Sequence, residues 1–238
     1  MSRDIFDDIV HFTQYAGAAY AEDCPMTPYK STVLQTLNDS STDVHAVISH
    51  DSDIDAVVLA FRGSSSPRNL DEDVEFTLSS LNVPGTSCSD CKVHAGFQKV
   101  YNKIAGSVSS AVSDAMAKKS GSSLVVTGHS LGGALAAIAS TALAAQGQKV
   151  TTYTFGEPRN GDAAWASYVN EKVPSYFRVT HYNDGVPQIP PTLLGFQHHG
   201  VEHWESLQNG NTASSTYRCE GSEPTVRFLD RNSKSSKS

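Results

Sequence analysis

Apolar residues at Ile5, Ile9, Phe12, Tyr15, Ala16 and Ala19 recur at the intervals of one helix face, so residues 4–21 are expected to form a helix. Two β-rich runs follow, 44–50 and 56–61, separated by Asp51-Ser52-Asp53, and together they read as a hairpin. Residues 63–81 are polar and acidic, and lead through the turn Pro84-Gly85 into a loop with two cysteines. From 95 to 118 the positions Phe97, Val100, Tyr101, Ile104, Val108, Val112, Ala115 and Met116 mark a long amphipathic helix, ended by Gly121-Ser122-Ser123.

The second half changes character. Residues 123–127 (Ser-Leu-Val-Val-Thr) form a short apolar run without polar alternation, as expected of a strand covered on both faces. Directly after Gly128 the pattern becomes helical, with Leu131, Leu135, Ile138, Ala142 and Leu143. A strand at 150–155, a helix at 162–172 and a strand at 176–182 complete the alternation. Strands alternating with helices require an α/β fold with a mostly parallel central sheet and helices on both faces. No internal repeat or linker interrupts the pattern. Residues 1–230 are therefore expected to form a single domain, and residues 231–238 a solvated, Ser- and Lys-rich tail.

Composition narrows the partners. At 238 residues the chain can bury one large core. No stretch approaches the roughly 20 apolar residues of a membrane span. A net charge of −7 argues against nucleic acid and gives no help at an anionic lipid surface. The N-terminus carries no charged-then-apolar leader and reads as a mature start with any export signal removed. Cys88 and Cys91 form a single short knuckle, whereas a metal site would usually pair two. Four cysteines permit three pairings. Cys24–Cys219 with Cys88–Cys91 is preferred, tying the ends and closing a small loop, as suits an exported protein; the alternative is four buried thiols. Asn38-Asp39-Ser40 is a glycosylation acceptor pattern consistent with export.

The chemistry centres on Gly128-His129-Ser130-Leu131-Gly132. It lies between an apolar strand and a helix of small residues, the context of a nucleophile elbow. Such a turn strains the serine backbone, and Gly128, Gly132, Gly133, Ala134, Ala136 and Ala137 supply the room it needs. The helix start aims free N–H groups at the serine, favouring a developing oxyanion. A serine nucleophile needs a base, and the base an orienting carboxylate, in the chain order Ser, Asp or Glu, His. The downstream histidines are His181, His198, His199 and His203; Asp184, at a strand end, is the leading acid over Glu157 and Asp162.

Four blocks then resemble the fungal class 3 lipases, a family that also includes mono- and diacylglycerol lipases and feruloyl esterases. They are Gly128-His129-Ser130-Leu131-Gly132-Gly133-Ala134-Leu135, Thr154-Phe155-Gly156-Glu157-Pro158-Arg159, Asn183-Asp184-Gly185-Val186-Pro187 and His198-His199-Gly200-Val201-Glu202-His203-Trp204. The resemblance runs from about Phe6 to Cys219 and implies an α/β-hydrolase fold with a lid segment. It implies a Ser130–Asp184–His198 triad, with His199 the rival base, and an oxyanion hole of Ser64 and the Leu131 N–H. Two family disulfides match Cys24–Cys219 and Cys88–Cys91. His129 is expected to support the serine, His181 and His203 to be structural, and Arg62 to be a buried partner of a carboxylate. The resemblance implies neither cofactor nor metal, and a secreted, monomeric enzyme acting on acylglycerols at a lipid–water interface.

Residues 65–76 match the family's lid, but here Leu70, Val74 and Phe76 are crowded by Asp71, Glu72, Asp73 and Glu75. Asn69-Leu70 and Gly200-Val201-Glu202 are closer to the feruloyl esterases, whereas Phe76 stands where those carry a tyrosine. The apolar loop at 191–196 favours an acyl-chain pocket. Acylglycerol hydrolysis is the leading expectation, hydroxycinnamoyl-ester hydrolysis the alternative, and a non-catalytic binding protein the reading from a different class.

Overall fold

A computed structural model describes residues 1–21, 27–64 and 76–223. Cys24, the segment 65–75 that makes up nearly all of the expected lid, and the expected tail lie outside the described residues. Ten strands and four α-helices are described. In chain order they are α1 (Arg3–Ala18), β1 (Ser31–Asp39), β2 (Val44–Asp51), β3 (Ala56–Phe61), β4 (Leu78–Ser80), β5 (Lys92–His94) and α2 (Ala95–Lys118). Then follow β6 (Ser123–His129), α3 (Leu131–Ala145), β7 (Val150–Phe155), α4 (Ala163–Lys172), β8 (Ser175–His181), β9 (Val201–Glu205) and β10 (Thr216–Arg218).

Eight strands form one sheet in the order β1-β2-β3-β6-β7-β8-β9-β10. The expected β2–β3 hairpin is antiparallel, β3, β6, β7, β8 and β9 run parallel, and the two outermost pairs are antiparallel. This is the α/β-hydrolase arrangement, with helices on both faces. All six residues of β3 are buried, as are the five residues 124–128 of β6, which is why these strands read as unbroken apolar runs.

One face is covered by α1, whose Ile9, Phe12, Tyr15 and Ala16 pack on Val58, Ala60, Val125 and Tyr153. The helix is pinned where Tyr15 Oη donates to Asp51 Oδ2 at 2.6 Å and His11 Nε2 lies 2.7 Å from the same oxygen. The other face carries α2 and α3, with Val108, Val112, Leu135 and Ile138 in the larger core. Arg62, buried, pairs with Asp43 at 2.6 Å, the structural role its position suggested. Cys88 and Cys91 are disulfide-bonded.

Candidate active site

The sharp connection from β6 to α3 places Ser130. Its backbone has φ 56 and ψ −125, a left-handed φ that a non-glycine residue adopts only when its surroundings enforce it. Those surroundings are backbone. A Cβ on Gly128 would lie 2.2 Å from the Gly132 carbonyl oxygen, and one on Gly132 would lie 2.3 Å from that of Phe61. Only bare Cα atoms let the elbow, the helix and β3 approach this closely. Ser130 N donates to Phe155 O at 2.9 Å, fixing the turn to β7. The side chain is almost buried, and among the described residues it makes no helix-cap bond and its Oγ has no hydrogen-bond partner. An unpartnered buried hydroxyl is costly as structure and useful as a nucleophile.

Leu131 begins α3, so its N–H belongs to the first turn, where no intrahelical acceptor exists. The end of β3 lies alongside. A Cβ on Gly63 would lie 2.6 Å from the His129 carbonyl oxygen, so Ser64, the next residue, leaves β3 beside the elbow. Tyr20 ties the two ends: its hydroxyl is 2.8 Å from His129 Nδ1 and would be struck by a Gly63 side chain. Burial holds the His129 imidazole below its ordinary range.

Asp184 follows β8. Its Oδ1 accepts from Val186 N at 3.0 Å. Gly156, with φ +57, makes room for the other oxygen: a Cβ there would lie 2.9 Å from Asp184 Oδ2 and 3.6 Å from His129 Nε2. The carboxylate therefore sits at the C-terminal ends of the central strands, on the side of His129.

His198 is buried, and its Nε2–H donates to Pro187 O at 2.8 Å while Nδ1 has no hydrogen-bond partner among the described residues. In this arrangement the imidazole is hydrogen-bonded to neither Ser130 nor Asp184. Burial lowers its pKa well below the ordinary range, and Arg178 and Arg159 act in the same direction. The neutral form required of a base is favoured. Its main chain is held from several sides: His198 N donates to Glu223 Oε1 at 2.8 Å, His199 O accepts from Arg178 Nε at 3.2 Å, and Gly200 N donates to Asn170 Oδ1 at 2.7 Å.

Beneath lies a wholly buried polar network. Glu157 accepts from Thr154 Oγ1 at 2.6 Å, Tyr176 Oη at 2.8 Å and Asn160 Nδ2 at 3.2 Å. His199 Nε2 stands 3.1 Å from Glu157 Oε1, at ion-pair distance but without hydrogen-bond alignment. This gives His199 a structural environment, edge-on to the Tyr176 ring at 4.7 Å.

The elbow and oxyanion residues named from the sequence thus meet at one place, with Asp184 next to His129. Asp162 is the N-cap of α4, accepting from Trp165 N at 2.9 Å. His203 lies buried in β9, and His181 ends β8, exposed. Tyr20, Arg178 and Glu223 were not among the candidates. Tyr20 lies at the end of an apolar helix pattern, and Glu223 carries no local signal at all.

Residues 58–194 match the class 3 lipase family. A secreted mono- and diacylglycerol lipase 1 from Fusarium solani is 31% identical over 88% of this chain and 67% of its own length. Secreted mono- and diacylglycerol lipase A of Penicillium cyclopium is 33% identical over 90% of this chain and 76% of its own. Among solved structures, a mutant form of the lipase MDLA from Penicillium cyclopium superposes with TM-score 0.85 at 30% identity, covering 93% of this chain and 89% of that one. The Rhizomucor miehei lipase propeptide complex gives 0.86 at 28%, covering 95% and 76%. With the elbow and the eight-stranded sheet, these likenesses identify the chain as a carboxylic-ester hydrolase of the fungal class 3 lipase family.

Proposed function

We propose that the protein is a secreted, monomeric lipase that hydrolyses acylglycerols through Ser130, His198 and Asp184. The observation that carries this is the strained, almost buried Ser130 at the head of α3, its Oγ without a hydrogen-bond partner among the described residues. Ser130 Oγ attacks the ester carbonyl carbon as the imidazole takes its proton. The resulting oxyanion is held by the Leu131 N–H and by Ser64. The imidazolium then protonates the leaving alkoxide, giving acyl-enzyme and alcohol. Water repeats the path, its proton passing to the imidazole, to release the acid and restore Ser130 Oγ–H.

Before the first step the His198 ring must leave the Pro187 carbonyl. A half-turn about Cβ–Cγ puts Cε1–H where Nε2–H stood, a weaker contact that the carbonyl tolerates, and frees both nitrogens. Asp184 then takes one nitrogen and Ser130 the other.

The acylglycerol reading is supported by the relatives' names and by the loop before His198. Its Leu193 is 93% exposed and Leu194 half exposed, an apolar tip that suits acyl chains. Secretion is supported by the relatives named as secreted and by the Cys88–Cys91 bridge. Assays of one preparation on tributyrin, triolein emulsion and methyl ferulate test the substrate class. Turnover of the glycerides that Ser130→Ala abolishes is expected; a marked preference for methyl ferulate would replace the acylglycerol reading.

A further inference from the structure

The described end of the chain reaches back to His198. Cys219 N donates to Glu202 O at 2.9 Å, Arg178 Nη2 donates to Ser222 O at 2.8 Å, and Glu223 turns its carboxylate inward. Glu223 Oε1 accepts from Arg159 Nε at 2.6 Å and from His198 N at 2.8 Å, while Oε2 accepts from Arg159 Nη2 at 3.0 Å. Arg159 Nη1 in turn donates to Gln188 O at 2.6 Å and Pro190 O at 3.1 Å. One buried guanidinium and one carboxylate therefore join both stretches that fix the imidazole: the loop whose Pro187 carbonyl receives Nε2–H, and the backbone of His198 itself.

We propose that Glu223, locked in a bidentate pair with Arg159, is a positioning residue that sets the His198 main chain and thereby the angle at which its imidazole meets Ser130. The inference rests on His198 being the base. Its physical ground is that Arg159, 5% exposed, needs an opposite charge, and a planar fork supplies direction as well as charge. Burial raises the Glu223 pKa, but the Arg159 and His198 N–H bonds outweigh it, and the carboxyl is held below its usual range. The clamp is therefore ionised at neutral pH.

The test uses purified full-length protein and a soluble short-chain p-nitrophenyl ester. Glu223→Ala is expected to lower kcat about 10–100-fold, the scale of a base held slightly out of place, with KM within about twofold. Glu223→Gln, which keeps an acceptor for the His198 N–H, is expected to recover part of that loss. Charged and titratable groups facing the imidazole are Arg159 after β7, Arg178 of β8, the adjacent His199 and Glu223. With Glu223 neutral, Arg159 acts on His198 unopposed, so the acid limb of kcat is expected to move to lower pH in both variants. Arg159→Lys keeps the charge without the fork, and is expected to lower kcat and leave the limb in place. Wild-type kcat and pH limb in folded Glu223→Ala and Glu223→Gln, alongside an inactive His198→Ala, would overturn the inference and leave the triad standing. An active His198→Ala would remove both.

Discussion

The two halves of the site are built by different physics. Around Ser130, order comes from backbone against backbone: Gly128 on Gly132, Gly132 on Phe61 O, Ser130 N on Phe155 O. Around His198, it comes from charged side chains delivered from afar, Arg159, Arg178 and Glu223, acting on main-chain atoms. The first arrangement is rigid and sterically enforced. The second is electrostatic, and its imidazole is bonded to Pro187 O and not to the serine. A nucleophile can be fixed in advance because its strain is borne by close-packed strands. If His198 is the base, it must change hydrogen-bond partners to take and give a proton, and these charged side chains hold its main chain rather than its ring.

The largest effect expected from breaking this comparison lies at the electrostatic half. His198→Ala leaves every elbow contact intact, yet kcat is expected to fall by at least about 10⁴-fold, because the base acts as a unit with the serine. Steady-state kinetics with an unchanged melting temperature check it. A variant within tenfold of wild type would transfer the base to another histidine, His199 first.

At the rigid half the signature reverses. Gly132→Ala puts a Cβ 2.3 Å from Phe61 O and 2.8 Å from the Arg62 carbonyl carbon, atoms that cannot move without shifting β3. A loss of about 3 kcal/mol in stability is expected, with activity falling in parallel. Denaturant unfolding measures it. Unaltered stability would mean that the elbow relaxes easily and that its packing does not sustain the Ser130 strain.

The most distributed effect, and the smallest on activity at neutral pH, is a pH dependence of stability. Burial pushes His94 and His203 down to about 4. These groups are neutral in the fold, but the unfolded chain binds protons at them below about pH 6.5. Stability is therefore expected to fall as pH drops from about 6.5 toward about 4, by up to about 3 kcal/mol for each group. Replacing His203 with Tyr, beside Phe177, is expected to flatten that slope in thermal melts. An unchanged slope would show that His203 is not neutral in the fold.

The same contrast explains what the sequence made legible. The elbow is local: a buried strand, a run of glycines and a helix of small residues are adjacent in the chain, so the turn at Ser130, the helix that follows it and the parallel sheet could be read directly. The 150–155 and 176–182 runs became β7 and β8 for the same reason. Strand β1 did not stand out because, at the sheet edge, only Leu37 of its nine residues is buried. Strand β9 hides its nature too, since its buried residues are Glu202 and His203, the former satisfied by Thr180 Oγ1 at 2.6 Å. Glu223 could not have been found by pattern, because its partners His198 and Arg159 are 25 and 64 residues away. Tyr20, expected inside the 4–21 helix, lies in the turn after α1 ends at Ala18, and its link between β3 and His129 left no signal in the sequence. Charge partners across such distances leave no periodicity behind.

The central claim is that Ser130 is the acylated residue and that His198 activates it. Reaction with a fluorescent alkyl phosphonate, followed by peptide mapping in the mass spectrometer, addresses it most directly. A single stoichiometric adduct on Ser130 is expected in the wild-type protein, none in Ser130→Ala, and labelling slowed by orders of magnitude in His198→Ala. An adduct on another residue, or undiminished labelling of Ser130 without His198, would contradict the account.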